Sequence, residues 1–243
     1  MFLWRKANLY CRWNVRGGRM TTVLPPTIIN SDCLEGLKNM EGELFDLVLL
    51  DPPYFEYVTH HRKAGGDAKL SRALVQQARA DQLETVREAI KHLKQDRAFF
   101  FFTNWQEAWW FQEKFHTFLR NEIIWNKKNW AAGDLEGSLG CEYEVIFLGT
   151  KGKWNYSGKR LNDLDDWVIP RMGTNRLHPT EKPVELYKRI IELATQPGDF
   201  VFDGYCGSGS SAEAAYLTGR NFLGYEIDKE YHRRILKRLK EIN

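Results

Sequence analysis

From residue 200 onward the chain alternates strand-length apolar runs with helix-length amphipathic ones, and this alternation limits the possible folds more than any other feature. "GDFVFD" reads as a strand, "GYCGSG" as a loop, "SSAEAAYLT" as a helix, "NFLGYE" as a strand and "KEYHRRILKRLKEI" as a closing helix. Strands joined through helices pair in parallel, with the helices covering the sheet faces. The fold class this predicts is α/β, with a doubly wound and mostly parallel sheet.

The upstream segments fit the same plan. "ELFDLVLL" and "RAFFFFT" are nearly continuous apolar runs, as expected for strands buried on both faces. Leu83, Val86, Ile90 and Leu93 recur at helical spacing, and Trp105, Trp109, Phe115 and Leu119 are expected to form the inner face of a second helix. "PTIINSDCLEGL" predicts a short strand, then a helix capped by Ser31 or Asp32. "NEIIWNKKN" and "EYEVIFLGT" read as two more strands, and Pro183 suits the first turn of a helix carrying Leu186, Ile190 and Leu193. Residues 152–177 show no firm periodicity and are expected to be an elaboration outside the core. A length of 243 residues fits one domain over 25–243, preceded by a basic arm over 1–24.

That arm carries Arg5, Lys6, Arg12, Arg16 and Arg19 without an acid, so its charge exceeds the net +3 of the whole chain. Such an arm can follow a phosphate backbone or remain a loosely packed terminus. Cys11, Cys33, Cys141 and Cys206 are widely spaced and form no C-x-x-C pair, which argues against a metal site and for a reducing, cytoplasmic setting. No stretch has the length and apolarity of a membrane span.

Two motifs carry chemistry. In "FDLVLLDPPYFEY" an apolar strand stops at Asp51, because Pro52 and Pro53 cannot continue a ladder; a rigid corner follows with one carboxylate and the ring of Tyr54. In "FVFDGYCGSGSSAEAA" the glycines at 204, 207 and 209 lie between a strand and a helix, where amides can meet a polar ligand. Glu226 ends the following strand, placed to accept from ribose hydroxyls, with Asp203 at the end of the strand before it. Either acid can instead serve as a turn acceptor or helix cap.

"SDCLEGL", "DLVLLDPPY", "IIWNKKN", "HPTEKPVELYKRIIELATQPGDFVFDGYCGSGS" and "NFLGYEID", in this order, resemble the beta class of S-adenosylmethionine-dependent DNA amino-methyltransferases, which act on adenine N6 or cytosine N4. The resemblance spans residues 27–240. It implies a Rossmann-like methyltransferase sheet with permuted motif order, the catalytic tetrapeptide preceding the cofactor loop. By that resemblance Asp51, Pro52, Pro53 and Tyr54 are catalytic, with the Asp51 carboxylate and the Pro52 carbonyl accepting from the target amine and Tyr54 stacking on a flipped base. The same comparison assigns S-adenosylmethionine to Asp203, Gly204, Tyr205, Cys206, Gly207, Ser208, Gly209 and Glu226. It adds Asp32, whose rival role is the helix cap, and Thr180 and Lys182, whose rival is a solvated first turn; Lys182 would pair with the methionine carboxylate. No metal is implied, and His178 is read as structural. The usual "DPF" of the family is "DGY" here, with Gly204 in place of proline.

Adenine N6 is favoured because the family's cytosine enzymes usually have serine at the position of Asp51. Cytosine N4 remains the alternative, and a catalytically inactive DNA-binding protein is the alternative from another class. Double-stranded DNA is the expected partner, and a homodimer or a cognate restriction endonuclease is compatible with the family. Target recognition would fall to short segments around 55–80, 129–140 and 152–177. Lys127, Lys128, Lys151, Lys153, Lys159 and Arg160 lie in or beside them with Trp130, Trp154 and Trp167. Phosphate contact is one role for these residues; a solvated face and loop packing are the others.

Overall fold

The structure, a computed structural model, describes residues 24–54, 77–131, 140–154, 164–171, 178 and 180–242, with backbone alone at 129–131 and 164–165. In chain order the elements are β1 (Thr27–Ile29), α1 (Cys33–Lys38), β2 (Phe45–Leu50), α2 (Arg79–His92), β3 (Leu93–Thr103), α3 (Trp105–Phe115), β4 (Leu119–Ala131), β5 (Cys141–Lys151), a 3-10 turn (Leu164–Trp167), α4 (Val184–Ala194), β6 (Phe200–Asp203), α5 (Ser210–Leu217), β7 (Asn221–Tyr225) and α6 (Lys229–Glu241). The strands form one sheet of order β1-β7-β6-β2-β3-β5-β4. Pairing is parallel from β1 to β3, and β5 runs antiparallel to both β3 and β4. The expected doubly wound sheet is therefore present, with one antiparallel strand near one edge.

The run of four phenylalanines in β3 shows how one sheet serves two cores. Successive side chains of a strand point to opposite faces. Phe100 and Phe102 accordingly pack with Leu47 and Leu49 of β2 beneath α4, α5 and α6, whose contributions include Leu186, Ile190, Ala214 and Ile235. Phe99 and Phe101 pack with Val48 and Leu50 beneath α1, α2 and α3, through Leu37, Val86 and Phe111. All six residues of β2 are buried, as its nearly continuous apolar run predicts, and the one acid among them, Asp46, is paired with Lys94 and Arg97.

Three sequence expectations are corrected. The inner face of α3 is Phe111 and Phe115, whereas Trp105 and Trp109 are 58% and 61% exposed. Leu93 and Leu119, assigned by spacing to the ends of helices, are the first residues of β3 and β4. Residues 152–177 are not wholly an elaboration, because Trp167 and Ile169 are buried in the core under α4. The segment docks by backbone bonds to the edge strand: Ile169 N–H donates to Asn126 O at 3.1 Å and Arg171 N–H to Lys127 O at 3.0 Å. Trp125 Nε1 donates to Ile169 O at 2.8 Å. Those partners stand about 40 residues away on β4, and no local periodicity encodes the docking.

Candidate active site

The strand order reverses direction in sequence between β6 and β2, and this is where open α/β sheets place ligands. Leu49 of β2 lies opposite Asp203 of β6, so Asp51 stands just beyond the end of one strand and Gly204 just beyond the other. Gly204 N–H donates to Leu49 O at 3.3 Å, carrying the pairing one step past the sheet. The acid-proline corner and the glycine turn thus become neighbours, although some 150 residues separate them.

A cavity of about 330 Å³ opens between them. Its wall includes Asp51 to Tyr54, the turn from Gly204 to Ser208, Glu226, Asp32, Thr180 and Lys182. Two residues assigned to the cofactor site by resemblance lie elsewhere. Asp203 is 1% exposed beneath the turn; it accepts from Ser211 Oγ at 2.5 Å and from Tyr205 N–H at 2.8 Å, and so holds the turn's shape. Burial pushes its pKa up to about 6, with those two donors opposing. Gly209 has φ +81 and abuts α6, where an added Cβ would come within 2.7 Å of Ile235. Only glycine allows that close approach.

Glu226 meets the cavity just past β7. One oxygen accepts from Gly207 N–H and the other from Asp228 N–H, each at 2.8 Å. Each oxygen keeps a second lone pair for a ligand hydroxyl. Burial pushes the Glu226 pKa up to about 7, with the two backbone donors opposing. Asp32 caps α1, accepting from Leu34 N–H at 2.8 Å and Glu35 N–H at 3.2 Å, and lines the cavity at the same time. Cys33 and Cys206 are free thiols in the same wall, and burial raises the Cys33 pKa to about 12. Thr180 and its backbone bond to His178 Nδ1, and burial pushes the His178 pKa down to about 4, leaving a neutral ring in the cavity wall at neutral pH.

The corner itself is braced. Gln82 Nε2 donates to Pro53 O at 3.0 Å, and Pro52 is buried. Asp51 Oδ2 lies 2.5 Å from Lys182 Nζ, while Tyr54 OH lies 3.4 Å from Asp51 Oδ1 and donates to Glu144 Oε2 at 2.9 Å. Burial pushes the Asp51 pKa upward and Lys182 only partly opposes it. For Lys182, burial alone would act downward, but Asp51 and Glu144 outweigh it and the net direction is up. Sequence reading missed Glu144. The one available signal was an acid immediately ahead of the fully buried part of β5.

Several residues proposed to meet DNA do other work. Lys127 is buried against Glu144 at 3.4 Å. Lys151 pairs with Glu43 and donates to Lys91 O and Leu93 O, at the end of the sheet opposite the cavity. Lys153 donates its backbone N–H to Asp96 there. Trp167 is core, and Trp154 packs against that core. Lys128 is exposed on β4. The arm over 1–23, the side chain of Trp130, and Lys159 and Arg160 lie outside the described residues, as do most of the segments 55–80 and 129–140. Among the described residues no cluster of His, Cys, Asp and Glu could hold a metal ion. No described helix is long and apolar enough to cross a membrane.

Comparison with known proteins bears on the family and the fold. The DNA methylase family for N6 and N4 amino-methylation matches residues 45–238. The DNA adenine methyltransferase YhdJ of Escherichia coli is 27% identical over 254 aligned positions, covering 88% of this chain and 82% of its own. The M1.HpyAVI–SAM complex superposes with TM-score 0.65 at 22% identity, covering 87% of this chain and 98% of its own. The PvuII DNA methyltransferase, cytosine-N4-specific, superposes with TM-score 0.65 at 17% identity, covering 91% and 92%. With the matched region running from the strand before Asp51 to the last helix, the chain belongs to the N6/N4 DNA methylase family.

Proposed function

We propose that this DNA methylase transfers a methyl group from S-adenosylmethionine to the exocyclic N6 of an adenine flipped out of double-stranded DNA. The observation that carries the reading is the shared cavity, with Asp51 to Tyr54 on one side and the glycine turn with Glu226 on the other. Its residues suit the donor chemically: Glu226 offers acceptors for ribose hydroxyls and the turn a close backbone surface, while Lys182, which the resemblance pairs with the donor's carboxylate, has its ammonium on Asp51 and Glu144 instead. Asp32 and Thr180 complete that side. When bound, the donor supplies an electrophilic methyl on a sulfonium that carries its own leaving group.

The chain's own work lies on the nucleophile. An exocyclic amine is weak because its lone pair is delocalised into the ring, and acceptors that bind its hydrogens favour a pyramidal nitrogen. Asp51 and the Pro52 carbonyl are such acceptors, held by two prolines and the Gln82 brace before any substrate arrives, which is electrostatic preorganisation. The Tyr54 ring offers a stacking face worth about 1–3 kcal/mol, against an unstacking cost of a few kcal/mol. Adenine is favoured over cytosine by Asp51 at the position where the family's cytosine enzymes usually carry serine, and by the adenine-directed relative YhdJ.

The test is expression in a methylation-free host, followed by mass spectrometry of the nucleosides. N6-methyladenine is the expected product, and N4-methylcytosine would overturn the base assignment. Asp51→Ala is expected to lower transfer by at least about 100-fold while the cofactor dissociation constant stays within about threefold. Undiminished transfer in that variant would remove Asp51 from its assigned role.

A further inference from the structure

Four side chains around the proposed base site close into a ring. Lys182 Nζ lies 2.5 Å from Asp51 Oδ2 and 3.4 Å from Glu144 Oε2. Tyr54 OH donates to that same Glu144 oxygen at 2.9 Å and returns to Asp51 Oδ1 at 3.4 Å. Three corners belong to the motifs read from the sequence. Glu144, from β5 on the far side of β3, belongs to none of them.

The ring poses a problem for catalysis. If Asp51 accepts from the target amine, the donors now on it must yield, and one of them is an ammonium whose side chain is 3% exposed. Were Asp51 its only counter-charge, drawing that buried cation away would be strongly disfavoured. Glu144 removes that difficulty, because a second carboxylate already lies within reach of the same Nζ. It also already holds the Tyr54 hydroxyl at a shorter distance than Asp51 does.

We propose that Glu144 is a positioning residue that draws the Lys182 ammonium and the Tyr54 hydroxyl away from Asp51, leaving the Asp51 oxygens to the target amine. The inference rests on the reading of Asp51 as the acceptor for that amine. The charge state of Glu144 supports it: burial alone would push its pKa up, but Lys182 and Lys127 outweigh burial and hold it below the usual carboxylate range. Tyr54 is shifted the other way, well above the ordinary phenol by burial and by the two carboxylates, so its hydroxyl keeps the proton it donates. Lys127, 3.4 Å from the second Glu144 oxygen, keeps the carboxylate anchored when Lys182 moves.

The decisive variant is Glu144→Gln, which keeps the shape and an acceptor for Tyr54 but removes the charge. Wild type and variant are compared by single-turnover methyl incorporation into DNA from a methylation-free host across a pH series. Cofactor affinity is measured by calorimetry and the melting temperature by thermal denaturation. The expected result is a maximal rate lower by at least about tenfold, with the cofactor dissociation constant within about threefold and the melting temperature preserved. The acid limb of the rate profile is expected to move to lower pH, because Lys182 then answers to Asp51 alone. Glu144→Asp, which restores the charge, is expected to return that limb toward its wild-type position. A Glu144→Gln rate within about threefold of wild type overturns the inference and leaves the methyltransferase reading intact. So does a loss of rate accompanied by equal losses of cofactor affinity and melting temperature in both variants, with the acid limb unmoved. A wild-type protein that methylates no DNA overturns the reading, and the inference with it.

Discussion

At the scale of single residues, the ribose contact proposed for Glu226 would tie donor binding to pH. Its carboxylate is 8% exposed, both oxygens accept backbone N–H groups, and burial brings its pKa to about 7. Ribose hydroxyls donate best to the ionised form, so binding of the donor should favour the deprotonated carboxylate. The affinity for S-adenosylmethionine is therefore expected to be level above about pH 7 and to fall below it, by up to tenfold per pH unit. Glu226→Gln should bind more weakly and lose this dependence, as titration calorimetry between about pH 6 and pH 8 would show. A wild-type affinity that is flat across that range would separate Glu226 from the ribose. Gly204 is the other instructive residue. It replaces the family's proline, and its N–H, which proline lacks, donates to Leu49 O at the switch between β6 and β2. An added Cβ would lie 3.1 Å from Leu50 Cδ2. The departure is thus matched to this chain's own packing.

At the scale of elements, α3 is the case where pattern and structure part. Its aromatics allow more than one helical face, and spacing alone selected Trp105 and Trp109. The sheet selected Phe111, whose ring stacks on Phe101 with centroids 3.6 Å apart and lies 5.5 Å from Phe147. Asn104 sets the helix start by accepting from Glu107 N–H at 2.9 Å, and with the start fixed the buried face follows. Phe111→Ala is expected to destabilise the protein by about 3–5 kcal/mol. Trp105→Ala should change stability by no more than about 0.5 kcal/mol. Urea unfolding followed by circular dichroism compares the two, and equal costs would mean that the assigned face is wrong. By contrast α1, α4 and α6 were legible beforehand. Asp32, one of the two caps expected, caps α1; Pro183 stands at the N-cap of α4, one residue ahead of the first turn expected for it; and α6 buries Tyr231, Ile235 and Leu239 along one stripe.

At the scale of the whole molecule, the buried carboxyl at the switch point is expected to make global stability depend on pH. The pKa of Asp203 is raised to about 6 by burial, above the ordinary ~3.9 expected in the unfolded chain. Between those values the folded state binds the proton more tightly. The contribution of this group to stability is thus fully present below about pH 4 and is lost as pH rises through about 6. Asp203→Asn removes the titration while keeping an acceptor for Tyr205 N–H, and the Ser211 hydroxyl can turn to accept from the new amide. At about pH 8 the variant is expected to be as stable as wild type or more so, by up to about 2 kcal/mol, and near pH 5 the difference should shrink. Chemical denaturation at the two pH values checks this. A variant that is destabilised equally at both would show that Asp203 is kept for hydrogen bonding alone.

The sequence by itself determined the order of strands and helices, the capped start of α1, the glycine turn, and the two motifs that carry the chemistry. Those features are written in local periods, in prolines and in glycines that act within a few residues. It also determined the family, through five segments in fixed order. Only the tertiary structure decided that Trp167 and Ile169 enter the core, that Lys151 and Lys153 lie away from the cavity, and that Asp203 and Gly209 support the turn without lining the cavity. It alone brought Glu144 to Asp51, Tyr54 and Lys182. A carboxylate on β5 acquires meaning only from its place across the sheet, because charge and burial depend on distance in space, and distance along the chain does not report it.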